Sequence, residues 1–157
     1  MGLGRFGGGL AAAEGLLAEG RQVLVTDLAE EAALQDSVTK LRETFGAQVS
    51  FRLGGHEQED FAQAELIIAN PAVPQPWNNP YLQTAWASGA TVTTEIARTL
   101  DQLSDRKTIA ITGSAGKSTT TAMTHAALVA AGIPATRGGN LGESLIGTPK
   151  DHTLVVE

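Results

Sequence analysis

The residues best suited to chemistry lie in one segment, Thr112–Thr121, with the sequence TGSAGKSTTT. An apolar, strand-like stretch (107–112) precedes it, and a helix-like stretch (118–131) follows. Glycines let successive backbone N–H groups converge on phosphate oxygens, and a helix N-terminus adds the positive end of its dipole. A lysine in such a loop neutralises the β- and γ-phosphates, and the hydroxyl that follows it binds Mg²⁺. We predict an ATP-binding phosphate loop with seven members: Gly113, Ser114, Ala115, Gly116, Lys117, Ser118 and Thr119.

The spacing of this loop departs from the usual pattern, which has four residues between its two glycines. That pattern would need glycine at position 111, where this chain has Ile111. The loop therefore has the shorter form G-x-x-G-K-S, and the alternative is an ordinary glycine-containing turn between a strand and a helix.

A second glycine cluster opens the chain as Gly2-x-Gly4-x-x-Gly7, and Asp27 lies 20 residues after Gly7 at the end of a strand-like stretch. This spacing is typical of the dinucleotide-binding turn, whose acidic residue contacts a ribose. The strand that should precede the motif is not in the chain, so we expect a first strand to have been lost. A flexible glycine-rich terminus is the alternative.

A third cluster, Arg137–Gly142, follows the short strand-like pair Ala135–Thr136 and could contact a ligand held at the phosphate loop. A plain turn explains it equally well. The histidines suggest no metal site, because His56 has no second histidine at helical spacing and is expected in a solvated loop.

Composition limits the class of protein. The chain has 157 residues, a net charge of −6 and no cysteine, which excludes a disulfide scaffold and cysteine-based metal sites. The acidic balance argues against nucleic acid as a partner, and no apolar run approaches the roughly 18 residues of a membrane span. We expect a soluble cytoplasmic protein that does not bind membranes.

The elements that position these loops alternate along the chain. Helices are predicted at 8–19, 29–45, 81–88, 95–103 and 118–131, and strands at 22–26, 48–53, 66–69, 107–112, 135–136 and 153–156. Such alternation is typical of an α/β fold with a parallel sheet. We predict a Rossmann-like parallel-sheet domain over residues 1–104, followed by the start of a P-loop ATPase domain over residues 105–157.

Taken together, these segments resemble the Mur ligases, the ATP-dependent amide-bond ligases of peptidoglycan synthesis. The resemblance is carried by GLGRFGGG near the start, LIIANPAVP at 66–74, TEI at 94–96, TGSAGKSTTT, GGNLG at 138–142 and LVVE at 154–157. These segments run in family order, and GGNLG with TEI is most similar to the glutamate-adding branch. Asn70 and Ala72 stand where that branch usually has Ser and Gly around Pro71.

The resemblance implies a reaction and its participants. ATP with Mg²⁺ would phosphorylate the carboxylate of UDP-N-acetylmuramoyl-L-alanine, and the amine of D-glutamate would attack the acyl phosphate. The enzyme would act as a monomer, with small molecules as its only partners.

The resemblance also implies roles for single positions. Lys117 and Glu157 would be catalytic, with Ser118 and Glu157 on the metal. Substrate contacts would come from eight residues: Gly4, Arg5, Phe6, Asp27, Leu28, Pro71, Ala72 and Asn140.

Three other interpretations of the function remain open at this point. The chain could be another Mur ligase such as the alanine-adding one, an NAD-binding oxidoreductase, or a non-catalytic nucleotide-binding module. The family's carbamylated lysine, metal-binding histidine, adenine site and D-glutamate site match nothing in these 157 residues. We therefore expect the chain to have little or no ligase turnover by itself.

Overall fold

The fold is described by a computed structural model that covers residues 1–4, 8–139, 145 and 148–157. It divides into two compact units, Met1–Glu95 and Ile96–Glu157. The first contains helices α1 (Gly8–Ala18), α2 (Glu31–Phe45), α3 (Gln58–Gln63) and α4 (Pro80–Ala87), with strands β1 (Val23–Asp27), β2 (Val49–Leu53), β3 (Leu66–Ile68) and β4 (Thr91–Thr93). The second contains α5 (Glu95–Gln102, from its second residue), α6 (Lys117–Ala130) and strands β5 (Thr108–Ala110), β6 (Ala135–Gly138) and β7 (Thr153–Val156).

Every strand pair in the described part is parallel. In the first unit β1 pairs with β2 and β3 pairs with β4, with Val23 opposite Val49 and Leu66 opposite Thr91. Parallel neighbours need a crossover, and the helices between the strands supply it. This confirms the predicted α/β class with parallel sheets.

The first four residues connect the two strand pairs of the first unit. The Met1 amino group donates to the Ile68 carbonyl (3.0 Å), and the Met1 carbonyl accepts from the Asn70 N–H (2.9 Å). On the other side, the Gly2 N–H donates to the Thr26 carbonyl (2.8 Å). Bonds to residues two apart on one neighbour are the pattern of a parallel ladder. Met1–Gly2 thus bridges β1 and β3, giving the spatial order β2, β1, Met1–Gly2, β3, β4.

Two apolar clusters form the core of the first unit. One joins α1, β1 and α2 through Leu17, Val25, Leu34, Val38 and Leu41, among others. The second gathers Phe61, Ile67, Leu82 and Ala85 around β3 and α4, with Met1 packed against it. The strand-bridging segment is therefore fixed by packing as well as by hydrogen bonds.

The second unit is a three-stranded sheet in the order β5-β7-β6. All four residues of β7 are buried, as expected of a central strand made of Thr, Leu and two Val. The α5 side chains Ile96 and Leu100 pack with Leu103 against Leu145, Leu154 and Val156. The sequence predicts a domain boundary after residue 104, which assigns α5 to the first domain. This boundary stays a prediction.

Eleven predicted elements lie within a few residues of observed ones, and two short elements were missed. These are α3, with six residues, and β4, with three. Neither spans enough residues to show a helical or alternating pattern of apolar positions. The proline-rich stretch 70–80 is a loop that contains a 3₁₀ turn, Pro76–Asn78, and α4 begins at Pro80.

Candidate functional site

The predicted phosphate loop connects β5 to α6. Gly113 has φ +154° and Gly116 has φ +76°, and Gly116 is the residue directly before α6. Side chains rarely adopt such left-handed geometry, so glycine is required at position 116. Residues 112–116 are exposed, and α6 begins at Lys117. The first N–H groups of a helix have no partner within it, so this end of α6 presents donors and a positive dipole to solvent.

Two loops and Glu157 lie at the same edge of the sheet in the second unit. The Ile111 N–H donates to the Val156 carbonyl (2.7 Å), which keeps the start of the phosphate loop beside the end of β7. On the other side of β7, the Glu157 N–H donates to the Gly138 carbonyl (3.2 Å). Ligands bind outside the carboxyl ends of strands in parallel α/β sheets. The Gly113–Gly116 loop, Glu157 and Gly139 therefore share the edge at which a ligand would bind.

The backbone around Glu157 leaves no room for a side chain at Gly139. A Cβ atom at Gly139 would lie 2.6 Å from the Glu157 carbonyl oxygen, and Gly139 has φ +97°. This close approach explains the glycine at that position in the third cluster.

Glu157 has the acceptor that a metal ion would need. Its Oε2 atom is buried and has no hydrogen-bond partner in the described part of the chain. A buried carboxylate oxygen without a partner is costly, and a cation can supply the missing interaction. No group of three or more His, Asp or Glu side chains within the described ranges could hold a metal ion. Mg²⁺, however, commonly takes one or two protein ligands together with phosphates and water, so the donor types of Ser118 and Glu157 are compatible with it, and their assignment to the metal stays a prediction.

In the first unit, the segment Gly2–Gly4, which we call the glycine turn, is bonded directly to Asp27. The Gly4 N–H donates to Asp27 Oδ2 (3.0 Å), and the Ala29 N–H donates to Asp27 Oδ1 (2.8 Å). The spacing of the glycine motif predicts that Gly4 and Asp27 belong to one site, and the structure places them in contact. Asp27 holds the turn and the start of the next loop through both carboxylate oxygens.

The other residues that were predicted to contact substrate in the first unit are exposed where the structure describes them. Leu28 is 72% exposed, and Pro71 and Ala72 are exposed in the loop after β3. Arg5 and Phe6, and Asn140 in the second unit, lie outside the described residues.

His56 lies in the loop between β2 and α3, as predicted, but it is only partly exposed and its ring packs against aromatic side chains. Its ring is edge-on to Phe61 (5.8 Å between centroids) and to Tyr81 (5.2 Å), and its Nδ1 atom is buried with no hydrogen-bond partner among the described residues. Burial lowers the pKa of His56, as does the nearby Met1 amino group, whereas Asp27 and Asp60 act in the opposite direction. The aromatic neighbours could not be seen in the local sequence, because Tyr81 is 25 residues away.

Three residues make structural contacts that their sequence patterns do not predict. Asn70 bonds to the glycine turn through its side chain, and Gly9 on α1 packs against the backbone of the same turn. The Thr121 hydroxyl, one helical turn after Lys117, is fully buried with no partner in the described part. Only Asn70 had a usable signal, since an Asn after a strand and before Pro favours a side-chain-capped turn.

The family profile described as "Mur ligase MurD-like, N-terminal domain" matches residues 1–94. A curated UDP-N-acetylmuramoylalanine–D-glutamate ligase from Geobacter metallireducens is 41% identical over 150 residues, covering 93% of this chain and 30% of the relative. The protein of that name from Treponema pallidum is 41% identical over 140 residues, covering 89% of this chain and 26% of its own length. A solved pseudomurein peptide ligase type C from Methanothermus fervidus covers 94% of this chain and 30% of its own, at 22% identity and a TM-score of 0.42.

The parallel α/β fold and the profile match define the class: this chain belongs to the Mur ligase family. Within that family it has a MurD-like N-terminal domain, which confirms the resemblance found in the sequence. The chain spans about 30% of the length of the curated relatives it matches. No helix within the described ranges is long and apolar enough to cross a membrane.

Proposed function

We propose that this chain is the nucleotide-binding part of a ligase that adds D-glutamate to UDP-N-acetylmuramoyl-L-alanine at the expense of ATP. The 36–42% identity to curated D-glutamate ligases supports the choice of this reaction over that of the alanine-adding ligase. The structural observation that carries the proposal is the arrangement at the edge of the β5-β7-β6 sheet. There a glycine loop, the N-terminus of α6 and an unsatisfied Glu157 oxygen occupy one edge.

The chemical difficulty of the proposed reaction is electrostatic. A carboxylate must approach a triphosphate, and two like charges about 4 Å apart repel by roughly 4 kcal/mol at an effective dielectric of about 20. Lys117, the N–H groups at the start of α6 and a Mg²⁺ ion held by Ser118 and Glu157 would offset this repulsion. Ser118 and Glu157 would hold the ion, which would supply positive charge beside the phosphates.

The two units would divide the substrates between them. We assign the nucleotide sugar to the first unit, at Gly4, Asp27, Leu28 and the Pro71–Ala72 loop, and ATP to the second. The exposed Leu28 side chain offers an apolar surface to a base, and Asp27 fixes the turn that would receive a diphosphate. Both ligands are cytoplasmic metabolites, so we place the reaction in the cytoplasm.

Ligand titration of the 157-residue chain tests these assignments. We expect binding of UDP and of Mg²⁺-ATP, with amide-exchange protection near residues 1–4, 27–29 and 70–72 for UDP and near 113–119 for ATP. Binding of NADH without UDP would overturn the proposal in favour of an oxidoreductase. Binding of ATP without UDP would leave only a nucleotide-binding module.

Lys117→Ala tests the phosphate loop. A charge-assisted hydrogen bond contributes about 1.5–3 kcal/mol, so its loss should weaken Mg²⁺-ATP binding by roughly ten- to a hundredfold. Lys150→Ala is the matched control. Lys150 is exposed in a turn of the same unit, and its substitution by Ala removes the same positive charge. Equal ATP affinity in the two variants would mean that the phosphate loop is misassigned.

A further inference from the structure

We propose that Asn70 is a positioning residue that fixes the glycine turn to the loop after β3, so that the two substrate-side loops of the first unit act as one rigid surface. The inference rests on the proposed nucleotide-sugar site for its functional consequence. The contact itself rests on hydrogen bonds and close packing within the first unit.

The side chain of Asn70 uses both ends of its amide. Its Nδ2 donates to the Gly2 carbonyl (3.1 Å), and its Oδ1 accepts from the Ala72 N–H (2.9 Å). One side chain therefore joins segments that are 68 residues apart in the sequence. Both bonds need a group that donates at one end and accepts at the other, which an amide does and a carboxylate does not.

The glycines of the turn are matched to this side chain. A Cβ atom at Gly2 would lie 2.8 Å from the Asn70 Cβ, and one at Gly4 would lie 3.1 Å from Asn70 Nδ2. Both glycines also have positive φ, +79° and +66°. The Asn70 side chain therefore occupies the space that side chains at positions 2 and 4 would need.

The contact reaches the proposed ligand surface through bonds already described. Gly4 is bonded to Asp27 through its N–H, and Ala72 is one of the exposed residues of the β3 loop. Holding Gly2 and Ala72 with one amide sets the separation of these two surfaces. A ligand that contacts both would then bind without first ordering them, which saves the free energy of ordering.

Asn70→Asp is the most informative variant. A carboxylate keeps the acceptor for the Ala72 N–H but cannot donate to the Gly2 carbonyl, and it places a charge against that oxygen. We expect UDP affinity to fall about tenfold, with Mg²⁺-ATP affinity unchanged. The Gly4 amide should exchange faster with solvent, whereas the Ala72 amide should keep its protection. Asn70→Ala should accelerate exchange at both amides.

Asn78→Asp is the matched control. Asn78 is exposed in the 3₁₀ turn of the same loop, and its Nδ2 bonds only to Gln75 Oε1 among the hydrogen bonds described for its side chain. This variant should leave both ligand affinities and both amides as they are. Unchanged UDP affinity in Asn70→Asp, or equal loss of UDP and ATP binding, would overturn the positioning role.

The exchange measurement separates this inference from the proposed function. If the unmodified chain binds no UDP, the assignment of the nucleotide sugar fails. The positioning role of Asn70 is then tested by the exchange rates of the Gly4 and Ala72 amides alone. An unchanged Gly4 exchange rate in Asn70→Asp would refute it.

Discussion

At the scale of single residues, Glu157 has a carboxylate oxygen that the described chain leaves unsatisfied. Its Oε2 atom is buried with no partner among the described residues, while its backbone N–H is bonded to the neighbouring strand. A fixed backbone with an unsatisfied carboxylate oxygen is suited to hold a cation with little further ordering.

Glu157→Gln should therefore reduce the part of ATP binding that depends on Mg²⁺. We expect Mg²⁺ to raise ATP affinity in the unmodified chain, and this gain to shrink by about tenfold in the variant, because a neutral amide replaces a charged ligand. Calorimetric titration with ATP in the presence and absence of Mg²⁺ measures the gain. Asp151→Asn is the control, since Asp151 is exposed just before β7 and its loss removes the same charge. An undiminished Mg²⁺ gain in Glu157→Gln would exclude Glu157 as a metal ligand.

At the scale of elements, α1 approaches the glycine turn very closely. A Cβ atom at Gly9 would lie 2.3 Å from the Leu3 carbonyl oxygen and 2.5 Å from that of Gly2. The neighbouring Gly8, in the same helix, has nothing within 4 Å of the same position. One of two adjacent glycines is therefore needed for packing of the helix against the turn, and the other is not.

Gly9→Ala and Gly8→Ala form a matched pair. Overpacking costs about 1–3 kcal/mol, and each kcal/mol lowers the melting temperature of a chain this size by about 2–4 °C. We expect Gly9→Ala to melt several degrees lower, while Gly8→Ala melts at the same temperature or higher because alanine favours helix. Thermal unfolding followed by circular dichroism measures both. Similar melting temperatures for the two variants would show that α1 does not need to approach the turn so closely.

The element scale also shows what the sequence could and could not predict. Glycine punctuation located α2 well: Gly46 follows the helix with φ +54°, and its N–H bonds back to the Arg42 carbonyl. The glycine clusters located both loops to which we assign ligands, because glycine is needed where the backbone turns left-handed. Asn70 as the link between Gly2 and Ala72, and the packing of His56 on Tyr81, depend on the pairing of distant segments. Local sequence patterns carry no such information.

At the scale of the whole molecule, the free energy of unfolding of the 157-residue chain, prepared with a free Met1 amine, should depend on pH through that buried amine. The Met1 amino group lies between β1 and β3, and burial lowers its pKa from 8.0 to about 6, against the attraction of Asp27. The unfolded chain then binds more protons than the folded chain between pH 6 and 8, so stability rises with pH over this window. Lowering this pKa from 8.0 to about 6 corresponds to roughly 3 kcal/mol of stability, which is fully present above pH 8 and lost by about pH 6.

His56 should extend the same trend to lower pH. Burial, followed by the positive charge of the Met1 amine, holds its pKa below 6.5. The folded state therefore also disfavours protonation of this ring, and stability should continue to fall below pH 6.5. The ring faces of its neighbours Phe61 and Tyr81 accept at most a weak hydrogen bond, so they would stabilise a protonated ring less than a carboxylate would.

Urea unfolding at pH 5, 6, 7 and 8 measures this dependence. A version of the chain with several residues added before Met1 moves the charged amine away from Asp27, and its stability should change much less between pH 8 and 7. His56→Gln in the unextended chain should keep the change between pH 8 and 7 and flatten the part below pH 6.5. A free energy of unfolding that is constant from pH 6 to 8 in the unextended chain would contradict the burial of the amine. Equal slopes in the extended and unextended chains would assign the dependence to another group, because the Met1 amine is the group that the extension displaces.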